Sequence, residues 1–200
     1  MTSTPDKAST APLPLSHKPT AKATAEARPD TPSASRTACI KTFGCQMNVH
    51  DSNRIRRMIQ DAGYAEVQRY EDADLVILNT CYVRENAVDR VRGHLGELNR
   101  LRREGRVKKV ALTGCIGAAE ESATLQKTYN IDLVLGTHNT YELAEFVGLP
   151  TMRETYTPEL PGTEGEHSSF VTIMTGCNYQ CSYCIVPTVR GRMICRPLQS

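Results

Sequence analysis

From Ala38 onward, short apolar runs alternate with longer stretches in which apolar residues recur at helical spacing. Cys39-Ile40-Lys41-Thr42-Phe43 predicts a short strand closed by Gly44-Cys45. Ile55, Met58 and Ile59 predict a helix over residues 51–62, with Gly63 as its stop. Leu75-Val76-Ile77-Leu78 is a fully apolar strand that runs into Asn79-Thr80-Cys81. A long polar helix is expected from about Arg84 to Arg103, burying Val88, Val91, Leu95, Leu98 and Leu101. Val110 to Thr113 predicts the next strand, ending in Gly114-Cys115, and a helix over 118–129, a strand over 131–135 and a helix over 140–147 follow.

Strands that alternate with helices predict an α/β domain over residues 37–149, a parallel (flavodoxin-like) sheet covered on both faces. In such sheets ligands gather beyond the carboxyl ends of the strands. Residues 1–36 are rich in Thr, Ser, Ala, Pro and Lys and carry almost no large apolar side chain beyond Leu13 and Leu15, so they predict a disordered tail. A transit peptide is the rival reading, opposed by Asp6, Glu26 and Asp30. Residues 150–166, with Pro150, Pro158, Pro161, Gly162 and Gly165, predict a linker. Ser168 to Met174 then reads as a strand entering Gly176-Cys177, so residues 167–200 start a second domain.

Charge narrows little. The formal net charge of +2 does not by itself indicate nucleic-acid binding. Basic residues cluster at Arg100, Arg102, Arg103, Arg106, Lys108 and Lys109, either as a solvated helix end or as a phosphate-facing patch. A second group is Arg190, Arg192 and Arg196. No apolar run approaches the ~20 residues of a membrane span, and a cytoplasmic protein without membrane contact is expected.

The cysteines change the picture. Six of the eight fall into two sets of three: Cys45, Cys81 and Cys115, each just beyond a predicted strand, and the compact Cys177-x3-Cys181-x2-Cys184. The first three are expected to meet on one edge of the sheet. Without a secretion signal, ligation is favoured over disulfides. Three thiolates can hold three irons of a 4Fe–4S cube and leave the fourth open, so two sets suggest two such clusters. For the compact set, a structural zinc site would need a fourth ligand, for which Cys195 is available. The ferredoxin pattern of four cysteines is absent. Cys39, inside a strand, reads as a core residue. Asn48 and Asn79 stand beside presumed ligands, either as donors to cluster sulfur or as turn and cap formers. His50, His94 and His138 read as isolated surface or capping residues.

The Cys-x3-Cys-x2-Cys spacing after a strand, with aromatic Tyr183 before the last cysteine, resembles the radical S-adenosylmethionine superfamily. Thr42-Phe43-Gly44-Cys45-Gln46-Met47-Asn48 with Asp51-Ser52, Asn79-Thr80-Cys81 with Arg84-Glu85, Thr113-Gly114-Cys115, and Gly176 through Pro187 with Arg190-Gly191 resemble the methylthiotransferase family. The Gly44-Cys45-Gln46-Met47-Asn48 form is similar to the tRNA-2-methylthio-N(6)-dimethylallyladenosine synthase branch. Met193 and Cys195 depart from that family's pattern, which has an acidic residue and a serine there.

The resemblance implies two 4Fe–4S clusters: an auxiliary one on Cys45, Cys81 and Cys115, and a radical one on Cys177, Cys181 and Cys184. S-adenosylmethionine would bind the open iron of the second, with Tyr183 against its adenine. The implied reaction adds a methylthio group to C2 of N(6)-dimethylallyladenosine beside the anticodon, in a monomer served by an electron donor protein. A barrel of this kind needs roughly 200 residues, and residues 167–200 hold only its first strand and cluster loop, so the expectation is a truncated radical domain and a chain inactive alone. The alternative is a non-catalytic iron–sulfur module.

Overall fold

In a computed structural model of the chain, residues 36–83, 85–149 and 172–195 are described. The tail over 1–35, the linker over 150–166, the first half of the strand expected at Ser168–Met174, and Arg84, Arg196 and Pro197 lie outside the described residues.

A parallel five-stranded sheet organises residues 36–149, in the order β2-β1-β3-β4-β5. Its strands are β1 (Arg36–Thr42), β2 (Tyr64–Glu66), β3 (Leu75–Thr80), β4 (Lys109–Gly114) and β5 (Leu133–Val134). The helices are α1 (Gln46–Asp61), α2 (Glu85–Arg103), α3 (Ser122–Tyr129) and α4 (Thr140–Val147). This is the doubly wound order of flavodoxin-like sheets, and the direction of winding reverses between β1 and β3. The predicted fold class of this domain therefore holds.

Alternation along each strand builds two cores. Val76 and Leu78 of β3 and Val110 and Leu112 of β4 face Val91, Leu95, Leu98 and Leu101 of α2. Leu75 and Ile77 with Ala111 face the other way, against Ile55, Met58 and Ile59 of α1 and Leu143, Ala144 and Val147 of α4. Each fully buried Leu, Ile or Val contributes roughly 1.5–3 kcal/mol relative to exposure. Cys39 is a core residue, as expected.

Several elements differ from the pattern-based expectation, β1 starting at Arg36 and β5 covering only Leu133–Val134 among them. Helix α1 begins at Gln46 rather than 51, because the apolar residues of its first turn, Met47 and Val49, are two apart and give no helical period. Strand β2 has three residues, too few to leave a periodic signal, and it pairs with β1 at the sheet edge. The helix expected over 118–129 is broken: a 3-10 turn at Ile116–Ala118 ends at Ala119, whose backbone is extended, before α3 starts.

Beyond residue 171 the described chain is small. β6 (Met174–Thr175) pairs antiparallel with β7 (Ile194–Cys195), and α5 (Val186–Arg190) lies between them. The antiparallel partner of β6 was not anticipated; the expected strand was assigned to a parallel barrel.

Candidate functional site

The register of the central strands sets the site. Thr42 pairs with Asn79 and Asn79 with Thr113, and one step further Thr80 pairs with Gly114. The next residues, Cys81 and Cys115, therefore leave adjacent strands at the same level, tied by the Cys115 N–H donating to the Thr80 carbonyl at 2.9 Å. Cys45 comes in from β1 by a longer turn. Phe43 N–H donates to the Asn79 carbonyl at 2.8 Å, and Gly44 packs so closely that a methyl on it would lie 2.5 Å from Cys81 Cβ. The structure thus brings the Cys45, Cys81 and Cys115 segments to one sheet edge, at the carboxyl ends of β1, β3 and β4.

Gly114 is required there by geometry. Its φ is +92°, and a Cβ would sit 2.3 Å from the Thr80 carbonyl oxygen. Only glycine lets β4 turn this tightly against β3 into Cys115.

The three thiols differ in setting. Cys45 is exposed and caps α1; its N–H and its thiol donate to Asn48 Oδ1 at 3.4 and 3.3 Å. Cys81 and Cys115 are buried. Burial pushes the Cys115 thiol up, while the nearby Arg190 guanidinium and the Tyr82 N–H pull it down. Cys45 and Cys115 precede helical turns directly, whereas Cys81 stands four residues before α2.

Asn48 and Asn79 turn out to be structural. Asn48 Nδ2 donates to Asn79 Oδ1 and to the Thr80 carbonyl, at 3.1 and 2.9 Å. Asn79 Nδ2 donates to the Asn48 carbonyl and to Ser52 Oγ, at 2.7 and 2.9 Å. Both amides are fully buried, and their donors are used between the end of β3 and the first turn of α1. They lock the β1 and β3 turns to α1.

The compact set lies in the loop between β6 and α5. Cys177 and Cys184 are half-buried, and Cys181 is exposed. Cys177 N–H donates to the Gly191 carbonyl and Cys184 N–H to the Cys181 carbonyl, both at 3.1 Å. Tyr183 is 90% exposed, open to a ligand and touching no core. Cys195 is exposed in β7, opposite Met174. Among the described residues no three His, Cys, Asp or Glu side chains form a group spaced for one metal ion.

Arg190, one of the second group of basic residues, is buried: only 8% of its side chain is exposed. His138 Nε2 donates to its backbone carbonyl, tying α5 to the turn before α4. His94 is likewise no isolated surface group: it stacks near Phe43 and hydrogen-bonds the Tyr70 hydroxyl at 3.1 Å. Half of the first basic cluster is ion-paired, Arg100 with Glu104, Arg102 with Asp132 and Lys108 with Asp74. It ends α2 and begins β4, at the sheet edge opposite the cysteines, which favours the solvated helix end over a phosphate-facing patch.

Comparison with known proteins agrees with this geometry. Residues 37–136, half of the chain, match the model of the Uncharacterized protein family UPF0004. The chain is 40% identical over 171 residues to the tRNA-2-methylthio-N(6)-dimethylallyladenosine synthase of Syntrophus aciditrophicus (strain SB), covering 79% of this chain and 37% of that protein. It is 44% identical over 170 residues to the Geobacter sulfurreducens protein of the same name, with 78% and 38% covered. A Mycobacterium sp. (strain KMS) protein of that name is 35% identical over 189 residues, with 88% and 36% covered. The chain thus spans less than two-fifths of the length of these curated relatives.

Proposed function

The chain belongs to the family described as Uncharacterized protein family UPF0004, and from that membership we propose that it is the cluster-bearing part of a radical S-adenosylmethionine tRNA methylthiotransferase. Residues 37–149 form its auxiliary-cluster domain and residues 167–200 the start of its radical domain, joined by a linker over 150–166. The modified position is C2 of N(6)-dimethylallyladenosine beside the anticodon, in a cytoplasmic protein that works with an electron donor. The reaction is proposed for a protein of the relatives' full length.

One observation carries the reading: consecutive parallel strands deliver Cys45, Cys81 and Cys115 to a single edge, and the loop bearing Cys177, Cys181 and Cys184 precedes a helix docked on the same domain. The donor set fits the groups it would hold. Three thiolates from a cytosolic chain suit an iron–sulfur cluster, and the edge sets two buried thiols beside a buried arginine whose nearest carboxylate, that of Asp51, stands 3.9 Å away. Cys45, Cys81 and Cys115 would hold the auxiliary 4Fe–4S cluster, and Cys177, Cys181 and Cys184 the second. Bound there, the second cluster supplies the electron that cleaves S-adenosylmethionine. The protein's part is to present three sulfurs at each site, to keep two of the auxiliary ligands from water, and to offer exposed Tyr183 to the adenine.

Anaerobic reconstitution tests this. Iron and sulfide would be counted in the wild-type chain and in the triple variant Cys177→Ala, Cys181→Ala, Cys184→Ala. About eight irons falling to about four is expected for two 4Fe–4S clusters. Zinc in place of iron, or no metal at all, would overturn the proposal.

A further inference from the structure

We infer that Arg190, borne on the helix that follows the compact cysteine set, is a positioning residue for the dispersed set: its guanidinium places a fixed positive charge beside Cys115 and tunes the potential of the anionic group held there. The inference rests on the reading of Cys45, Cys81 and Cys115 as cluster ligands and deepens it.

Arginine is rarely buried without a partner, because desolvating its charge costs several kcal/mol. Here 8% of the side chain is exposed, and Nη2 is a buried donor with no hydrogen-bond acceptor among the described residues. Its nearest carboxylate oxygen, Asp51 Oδ2, stands 3.9 Å away. That is about 1 Å beyond a charge-assisted hydrogen bond. Asp51 therefore balances part of the charge and leaves a donor open.

The open donor lies at the cysteine edge. Helix α5 packs on the Ile116–Ala118 turn that immediately follows Cys115, and the charge of Arg190 pulls the Cys115 thiol down against the larger upward push of burial. The helix is held there independently of the side chain, by the His138 contact to the Arg190 carbonyl and by burial of Val189. An incompletely paired cation held beside thiolates is complementary to a net-negative iron–sulfur group. Hydrogen bonds and net charge around the sulfurs are what set such a group's potential.

A mere pin between segments would look different in one respect. If Arg190 only held α5 in place, removing it would weaken the fold and leave the potential alone. If it is an anion donor waiting for its partner, an apolar side chain of similar length should be tolerated in the metal-free chain. Replacing a poorly paired buried charge by a packed hydrophobe is often neutral or stabilising.

The test uses the 200-residue chain in the Cys177→Ala, Cys181→Ala, Cys184→Ala background, so that only the dispersed set takes up a cluster. Arg190→Met and Arg190→Lys are compared with Arg190. Urea unfolding of the metal-free chain is expected to show Arg190→Met as stable as the parent or more so. After reconstitution to about four irons, the Arg190→Met midpoint should be more negative, with the reduced fraction at fixed potential falling about tenfold. That corresponds to about 59 mV for one electron, and Arg190→Lys should restore most of it. Four irons with an unmoved midpoint in Arg190→Met would overturn the inference alone. Failure of the parent to take up iron would overturn the cluster reading and the inference with it.

Discussion

The carboxamides of Asn48 and Asn79 hold each other: Asn48 Nδ2 donates to Asn79 Oδ1 at 3.1 Å, and Asn79 Nδ2 donates to the Asn48 carbonyl at 2.7 Å. The pair is inaccessible to water and joins the end of β3 to the first turn of α1, where Cys45 is the cap. Asn79→Ala removes the Asn79 donor from the Asn48 carbonyl and from Ser52 Oγ, which keeps Thr42 Oγ1 at 2.6 Å, and removes one acceptor from Asn48 Nδ2. Unsatisfied buried polar groups cost about 1–3 kcal/mol each, partly relieved by relaxation, so a loss of about 2–4 kcal/mol is expected. Urea unfolding of the metal-free chain measures it. A loss below about 0.5 kcal/mol, the range of surface substitutions, would mean that the loops stand without this network.

Gly114 sets how closely Cys115 follows Cys81. With φ at +92° and the Thr80 carbonyl 2.3 Å from any added Cβ, Gly114→Ala can be accommodated only if the end of β4 moves off β3. Backbone strain and the clash together should cost at least about 2 kcal/mol. The displacement should also reduce iron uptake at the dispersed set more than at the compact one. Equal iron content and an unchanged unfolding midpoint would show that the turn relaxes freely.

At the opposite end of the sheet, Asp74 accepts from the Thr37 N–H at 2.9 Å and pairs with Lys108 Nζ at 2.7 Å. The Lys108 hydrogen bond and then the Thr37 N–H hold its carboxyl below the usual carboxylate range. A depressed folded value gives stability that is complete above the unfolded value, near 4, and is lost as pH falls through the folded one. The side chain is partly exposed, so screening keeps the effect small. The stability gap between the chain and Asp74→Asn should be steady from neutral pH to about 5 and close below about 4. A gap that stays constant down to pH 3 would exclude linkage through Asp74.

Cys81 and Cys115 were locatable from sequence because fully apolar strands, Leu75–Leu78 and Val110–Leu112, point straight at them, and strand direction in a parallel sheet is shared. Cys45 was harder to place. Met47 and Val49 in the first turn of α1 are spaced two apart and give no helical period, and a cysteine cap is not among the usual helix-start residues. The choice between sulfur donor and turn former for Asn48 and Asn79 could not be made without their partners, which lie on the other's loop. The burial of Arg190 leaves no mark in the sequence. A charged residue beside Gly191 and Arg192 looks solvated, and only contacts with Asp51, Cys115 and His138, all far upstream, bury it. The paired state of Arg102 and Lys108 was hidden for the same reason, since their carboxylates belong to other loops.

Thiol reactivity offers the sharpest separation of the cluster readings, because the structure spreads the eight cysteines over distinct environments. Cys45, Cys181 and Cys195 are exposed, Cys177 and Cys184 half-buried, and Cys39, Cys81 and Cys115 buried. Alkylation requires access and the thiolate, and burial pushes the Cys39 thiol up as well as hiding it. In the metal-free chain, iodoacetamide followed by peptide mass spectrometry should label the three exposed thiols first and the three buried ones only as the domain opens. After anaerobic reconstitution Cys45, Cys177, Cys181 and Cys184 should fall silent together, whereas Cys195 should stay as fast as before. Cys195 thereby distinguishes an open three-cysteine cluster from a four-ligand zinc site: protection of Cys195 along with the compact set would favour zinc and the Cys195 ligand, and its continued reactivity leaves three sulfurs for the second cluster.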